Sequence, residues 1–188
     1  MPDLEVAAPD PRLTALLGGL PEGLFSERFH RSHELADRYV LELALEIAHR
    51  LDLAGGLAAP VAARELAAKR GFAASFQPAL DWLLAWLATA GWLRITGPAD
   101  APSYALDRPL PPGDPGRMRA ALLAADPRNA PTVDLLEAAA AAYPRVARGE
   151  TTGEEELFAP GSTRWAGYFD NANPLYAVNN QLAAAAAT

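Results

Sequence analysis

Histidines and acids in the first third of the chain are the residues whose types and spacing first suggest chemistry. His30 and His33, with Glu34 beside them, could meet on one helical face as part of a metal site. Their spacing is not H-E-x-x-H, and no third ligand is evident. We therefore interpret both histidines as surface residues at the polar start of a helix, and we expect no metal site.

Glu46 and His49 show the Glu-x-x-His spacing found in carboxylate-bridged di-iron proteins. Such a site needs a second copy of the motif and further glutamates on facing helices, and the sequence offers neither. We expect instead an exposed helical face on which these residues lie beside Arg50 and form salt bridges.

The usual catalytic motifs are absent from the sequence. Neither glycine-rich nucleotide cradle, G-x-G-x-x-G or the P-loop, occurs, and there is no G-x-S-x-G elbow. The absence of cysteine excludes disulfides, thiolate zinc sites and cysteine nucleophiles. We therefore predict no catalytic residue and no cofactor in this chain.

The elements that must position any functional residue are mostly helices. Ser26 is a plausible N-cap, and apolar residues then recur at helical spacing up to a stop at Gly55-Gly56. A short helix over Val61–Lys69 and a second helix from Pro78 to Gly91 follow. Two strands, 92–96 and 103–106, complete the pattern of a winged helix-turn-helix with a β-hairpin wing.

A winged helix often reads DNA with a basic second helix, and this one lacks the required residues. The stretch 71–93 contains no Lys or Arg, and Trp82 and Trp86 cover much of its surface. The net charge of -7 also disfavours a phosphate backbone. We predict a packing or dimerisation module and no nucleic-acid partner.

The second half of the chain predicts a set of shorter helices after a proline-rich linker at 109–115. We expect helices at 117–125, at 133–142 with Pro144 disturbing the end, at 162–169 and at 175–187. The predicted fold class is mainly α: a winged-helix module followed by a helical lid. The predicted domains are an N-terminal arm and helix at 1–34, the winged-helix module at 35–110, and a lid or partner-docking region at 111–188.

Composition and patterning place the chain away from membranes. Residues 1–10 carry acids and prolines in place of a basic and apolar leader, and the longest apolar stretches are too short to span a bilayer. We expect a cytoplasmic protein with no membrane partner.

Three stretches between 47 and 93, followed by a longer series between 135 and 184, occur in an order that resembles the methyltransferases that use S-adenosylmethionine in polyketide and nonribosomal-peptide biosynthesis. Their N-terminal winged-helix module is similar to three stretches here, at 47–57, 65–68 and 83–93. The helical lid that precedes their catalytic fold is similar to a longer series, at 135–137, 143–150, 156–162, 168–169, 173–176 and 179–184.

The resemblance implies a Rossmann-like domain that would bind S-adenosylmethionine, and this chain stops before it. We expect no activity from the chain alone. Either it is a subunit that docks onto a separate Rossmann-fold chain, or it is a fragment cut at a domain boundary. The leading hypothesis is a lid subunit of a two-chain enzyme that acts on a small-molecule or carrier-bound intermediate, by methylation or by a diverted elimination or ring closure. The alternatives are a winged-helix regulator and a dimerisation or scaffold fragment.

In the lid, the resemblance and the abundance of hydrogen-bonding side chains point to a substrate-binding surface. Tyr176 and Asn180 lie four residues apart on one helical face, with Asn179 close to both. Tyr168, Asn173 and Arg164 complete the predicted set, whose role would be positioning and exclusion of water. Two alternatives remain open: Asn171 and Asn173 as turn and cap residues around Pro174, and Arg164 as a surface ion pair.

Overall fold

The computed structural model describes residues 11–18, 20 and 22–187, so the expectations for residues 1–10 lie outside the described part of the chain. The fold is mainly α, as predicted, with one small antiparallel sheet. The helices are α1 Pro11–Gly18, α2 Glu27–Arg50, α3 Leu53–Gly56, α4 Ala63–Arg70, α5 Gln77–Thr89, α6 Pro115–Ala125, α7 Ala130–Ala147, α8 Gly153–Leu157, α9 Arg164–Phe169 and α10 Pro174–Ala186. The strands are β1 Val61–Ala62, β2 Leu93–Thr96 and β3 Ser103–Leu106.

Helix α2 is the central element, and other helices pack on several of its sides. The predicted N-cap is confirmed, because the Ser26 hydroxyl accepts from the backbone N–H of Phe29 at 3.3 Å. The helix ends at Arg50 and not at Gly55-Gly56 as predicted. Asp52 takes a left-handed conformation with φ of 51°, which breaks the helix, and Arg70 donates to its carboxylate.

The predicted succession of two helices and a β-hairpin is present as α4, α5 and the β2–β3 pair. The start of the first helix was predicted two residues too early. Val61 and Ala62 form β1, which pairs with β3 opposite Tyr104 and Ser103, giving the strand order β1-β3-β2. The β-branched Val61 therefore belongs to a strand that forms only by pairing with β3, more than 40 residues later in the chain. The local sequence does not reveal this pairing.

The core of this first half is built from leucines that lose all contact with solvent. Seven of them have no exposed surface: Leu53, Leu57, Leu66, Leu80, Leu83, Leu84 and Leu87. Full burial of each side chain contributes about 1.5–3 kcal/mol relative to exposure. They fill the space between α2, α4, α5 and the sheet, so this half has a closed apolar core.

The proline-rich linker lies directly against α2. A Cβ on Gly113 would come within 2.2 Å of the Glu42 carbonyl oxygen, so only glycine permits this approach. The Glu42 carboxylate accepts from the backbone N–H of Asp114 at 2.7 Å. The two halves of the chain are thus joined through the middle of one helix.

Helix α7 continues through Pro144 to Ala147, although Pro144 was predicted to disturb it after 142. Proline in a helix interior removes one backbone hydrogen bond and strains the turn before it. Here packing compensates: Ala142 and Ala147 are buried, and the Tyr143 ring meets Phe76 edge to face at 5.8 Å. The Ala147 carbonyl accepts from the backbone N–H of Ala73 at 2.8 Å, which fixes the end of the helix.

The last three helices are short and follow α7 closely. Helix α8 begins with a capping box in which Thr152 and Glu155 bond reciprocally. Helix α9 begins at Arg164, two residues after the predicted start, and α10 matches its prediction to within one residue. Within the described part of the chain, no helix combines the length and apolar character needed to cross a bilayer.

Candidate functional site

Five aromatic rings contributed by α9, α10 and the residue after α8 form one contiguous cluster. We call this the aromatic cluster: Phe158, Trp165, Tyr168, Phe169 and Tyr176. The Trp165 ring stacks on Phe158 with centroids 5.0 Å apart and on Phe169 at 5.4 Å. Tyr176 meets Phe169 at 4.8 Å and Tyr168 at 5.1 Å, so α10 is joined to α9 through ring contacts.

The cluster faces outward. Phe158 is 60% exposed and Phe169 is 45% exposed, whereas Trp165 is half-buried and its indole N–H donates to the Leu157 carbonyl at 2.9 Å. Single exposed apolar residues are common on protein surfaces, but adjoining stacked rings form an apolar patch, which usually marks a contact surface. The rings are therefore held in a fixed arrangement and remain available to a further molecule.

Asn173 supports the cluster from beneath and does not reach solvent. Its side chain is fully buried, and its amide nitrogen donates to Thr132 Oγ1 at 2.9 Å and to the Tyr168 carbonyl at 2.8 Å. Thr132 Oγ1 in turn donates to Asn173 Oδ1 at 3.2 Å. These bonds tie α9 and α10 to α7. Asn173 occupies the N-cap position of α10 but makes no side-chain capping bond, and its binding role stays a prediction.

Asn180 is also engaged within the fold. Its amide nitrogen donates to the Phe169 carbonyl at 2.8 Å and to Asn171 Oδ1 at 2.9 Å. The shared face predicted for Tyr176 and Asn180 therefore contacts the end of α9, where the pair secures the turn that leads into α10.

The other four predicted site residues keep hydrogen-bonding capacity. Arg164 and Asn179 are exposed, and neither side chain has an ion pair or hydrogen bond with any described residue. The Tyr168 and Tyr176 hydroxyls likewise have no partner among the described residues. Burial raises the pKa of the Tyr168 phenol, with a smaller contribution from Tyr176, so this phenol stays protonated at neutral pH and can donate.

The histidines of α2 lie apart from this region. His30 and His33 are exposed, as predicted, and their rings meet Phe29 edge to face at 5.6 and 4.4 Å. Among residues 11–18, 20 and 22–187, no group of three or more acids and histidines is arranged to hold a metal ion. The predicted pair of Glu46 and Arg50 is confirmed as a salt bridge one turn apart.

The sequence did not indicate which residues hold the aromatic cluster in place. Thr132 lies 41 residues before Asn173, and nothing in its neighbourhood suggests that it bonds to that side chain. The predicted set of site residues does not include Trp165 or Phe169. Their spacing of four residues was the available signal for a shared ring surface.

Comparison with known proteins relates the fold to one class of enzyme. The chain matches no protein-family model and no curated protein. Two crystal structures have a similar fold, each over 94% of this chain. The CurJ carbon methyltransferase is 20% identical with a TM-score of 0.66, and the DszA carbon methyltransferase is 24% identical with a TM-score of 0.62.

The match covers only part of those two proteins. The chain corresponds to 46% of the CurJ structure and 43% of the DszA structure, so it spans somewhat less than half of each. At this level of identity the likeness shows a shared fold. The fold is thus one that occurs in part of two carbon methyltransferases.

Proposed function

We propose that this chain is the substrate-facing lid of a methyltransferase-like enzyme of natural-product biosynthesis, and that it works with a Rossmann-fold catalytic chain. The observation that carries the proposal is the fold shared with two carbon methyltransferases over 94% of the chain. S-adenosylmethionine would be bound by the partner chain. The substrate would be a small-molecule or carrier-bound biosynthetic intermediate.

The aromatic cluster supports the lid role. Phe158 and Phe169 present exposed ring faces, and closure of such a surface over a reacting centre would exclude water from it. Arg164, Asn179 and the two tyrosine hydroxyls, all on α9 and α10, have no hydrogen-bond partner among the described residues. They would orient the substrate through hydrogen bonds, since none of them has a partner that could serve as a general base.

The segment formed by α4, α5 and the β2–β3 hairpin would be a winged-helix module, and it would pack against the partner protein in the assembled enzyme. Helix α5 carries no Lys or Arg, and its exposed face presents Trp82, which is 47% exposed and stacked on Trp86 at 5.9 Å. A neutral aromatic surface of this kind favours protein contact over a phosphate backbone.

The test is to co-express the chain with candidate Rossmann-fold methyltransferase-like proteins, first any encoded by a neighbouring reading frame, and to follow co-purification and methyl transfer from S-adenosylmethionine. The chain alone should transfer no methyl group. In the complex, Tyr176→Phe should lower kcat/KM by roughly three- to tenfold, the effect of losing one hydrogen bond, while co-purification is unchanged. Asn179→Ala should act in the same way.

Tyr104→Phe is the matched control, because it removes a phenol hydroxyl from a buried residue of β3, which is not part of the aromatic cluster. It should leave turnover unchanged. Consumption of substrate without methyl transfer would assign the diverted chemistry to the same lid. A chain that binds no Rossmann-fold protein, or a complex in which Tyr176→Phe and Asn179→Ala both keep full activity, would overturn the proposal.

A further inference from the structure

Helix α8 belongs to a segment that has a glycine at each end and no buried residue. Gly149 and Gly161 adopt left-handed backbone conformations, with φ of 70° and 81°, and we call residues 151–160 between them the strap. None of these described residues is buried, and the backbone hydrogen bonds of the strap reach no further than Ser162. Because glycine tolerates large changes in its backbone angles, both ends can act as pivots. Such a segment is expected to open at a lower free energy than the core.

The contacts that tie the strap to its surroundings include an ion pair, a hydrogen bond and a ring stack. The Glu156 carboxylate pairs with Arg145 of α7, whose side chain is 51% exposed. A surface ion pair of this kind contributes little to stability and is screened by salt. The Leu157 carbonyl accepts from the Trp165 indole N–H at 2.9 Å, and the Phe158 ring stacks on Trp165 at 5.0 Å. The two ends of the strap are therefore free to pivot once these contacts are released.

The strap occupies two features of Trp165 that a ligand could use. Phe158 stacks on the indole ring with an angle of 13° between the ring planes, and the adjacent Leu157 carbonyl takes the indole proton. Phe158 is 60% exposed whereas Trp165 is half-buried, so the strap forms the outer layer of this contact. When the strap swings away, Trp165 presents a flat apolar ring face and a free N–H donor that needs another acceptor.

We propose that the strap is an autoinhibitory element that holds the place of a ligand on Trp165. The ligand carries a flat unsaturated group next to a carbonyl oxygen, because Phe158 and the Leu157 carbonyl present that combination to the indole. The flat group replaces the Phe158 ring, and the carbonyl oxygen accepts the indole proton in place of Leu157. The pair of Glu156 and Arg145 is the latch that keeps the strap closed.

Opening of the strap is a property of this chain alone, whereas the identification of the ligand with the substrate of an enzyme rests on the proposed function. Hydrogen exchange of the ¹⁵N-labelled full chain, followed by NMR, measures the opening at the Trp165 indole N–H, whose signal is assigned by its loss in Trp165→Phe. This N–H should be less protected than the backbone amide of Leu83 in the leucine core, which exchanges when the whole fold opens. About 0.5 M salt should lower its protection further by screening the latch.

Glu156→Gln removes the latch. It should lower the protection of the Trp165 indole N–H by roughly two- to fivefold, the population shift expected from a surface ion pair. Exchange at Leu83 should stay unchanged, and salt should no longer affect the indole. Glu154→Gln is the matched control, since it makes the same change of charge in the same helix at a side chain with no described partner. It should leave the indole protection nearly unchanged.

Benzamide is the probe for the ligand, because it carries a flat ring beside a carbonyl group, and cyclohexanecarboxamide keeps the carbonyl beside a saturated ring. Followed at the Trp165 indole signal, benzamide should bind with a dissociation constant on the order of millimolar. It should bind at least about threefold more tightly than cyclohexanecarboxamide, which cannot stack. Glu156→Gln should tighten benzamide binding by the factor by which it lowers indole protection, because the closed fraction weakens a ligand that binds only the open form.

Any one of three results overturns the proposal. In the first, the Trp165 indole is as well protected as the Leu83 amide, so that the strap opens only when the whole chain unfolds. In the second, Glu154→Gln and Glu156→Gln change the indole protection equally, which reports overall charge and not a latch. In the third, benzamide binds no better than cyclohexanecarboxamide or is unaffected by Glu156→Gln. None of these measurements involves methyl transfer, so each outcome leaves the test of the proposed function independent.

Discussion

The leucine core around α5 and the aromatic cluster of α9 and α10 are stabilised by different interactions. In the first, seven leucines have no exposed surface, and the energy is non-directional apolar burial. In the second, short helices are held by ring stacking and by side-chain bonds to backbone carbonyls, and Phe158 stays 60% exposed. The leucine core buries its apolar surface within the fold, whereas the aromatic cluster leaves part of its apolar surface exposed, where another molecule could contact it.

This contrast indicates where function can be changed without loss of the fold. Substitutions in the leucine core should act on global stability. Substitutions at the exposed rings of the aromatic cluster, and at the polar groups of α9 and α10 that have no described partner, should act on binding. The residues that support the aromatic cluster, Asn173 above all, should lie between these extremes.

The largest effect is expected for Leu83→Ala, which opens a cavity in the closed core. It should lower the free energy of unfolding by about 3 to 5 kcal/mol, measured by urea denaturation. Phe158→Ala in the aromatic cluster should cost about 1 kcal/mol or less, because the ring is mostly exposed and loses mainly its stacking on Trp165. Equal losses of unfolding free energy in the two variants would show that the leucine core and the aromatic cluster contribute to stability in the same way.

Asn173→Ala is the sharpest test within the lid. It leaves buried partners unpaired at Thr132 and at the Tyr168 carbonyl, so we expect a loss of about 2 to 3 kcal/mol. Faster amide exchange in α9 and α10 should accompany it. Asn179→Ala is the control, because its exposed side chain has no described partner, and it should stay within about 0.5 kcal/mol of the parent. A comparable loss of unfolding free energy in both variants would contradict the distinction between Asn173, which supports the fold, and Asn179, which does not.

A smaller effect is expected at the N-caps of α8 and α9. Thr152→Ala removes half of the capping box of α8 and should cost about 1 kcal/mol in thermal or urea unfolding. Thr163 occupies the corresponding position before α9 but makes no capping bond, so Thr163→Ala should be close to neutral. If the two threonines prove equivalent, the cap contributes nothing and α8 is held by packing alone.

The smallest effect is expected from pH at Asp126, in the connection between α6 and α7. Hydrogen bonds from Arg128 hold the pKa of Asp126 below its usual range, despite burial, which opposes this. Asp126 therefore stabilises the fold above its unfolded pKa of about 3.9, and this contribution is lost as pH falls through the lower folded value. Because Arg128 is largely exposed, solvent screens the pair and the effect is modest.

The measurement compares the free energy of unfolding of the parent and of Asp126→Asn between neutral and strongly acidic pH. The difference between the two proteins should be largest near neutrality and should narrow in acid. A difference that stays constant with pH would show that the Asp126 charge does not take part.

Much of the fold follows from local sequence. Ser26 capped its helix as predicted, and Pro78 and the leucines after it defined α5, because caps and apolar periodicity act over one or two turns. Two features could not be found in that way. The strand at Val61 exists only through its pairing with Tyr104, and α7 passes Pro144 only because distant residues pack around its end.

In the candidate site, too, local sequence predicted some features, and distant contacts determined the others. Residue types placed hydrogen-bonding groups between Arg164 and Asn180, but they did not distinguish free side chains from those engaged in the fold. Asn173 and Asn179 are chemically identical, and one is fully buried while the other is exposed. That difference depends on Thr132 of α7, a contact across 41 residues.

The sequence by itself therefore determined the helical class, the caps, the apolar α5 and the region where polar and aromatic residues gather, since these depend on interactions between near neighbours in the chain. Only the tertiary structure decided which of those residues are engaged within the fold and which rings form one surface. Burial and hydrogen-bond satisfaction are properties of the packed chain, because they depend on what lies across each side chain in space.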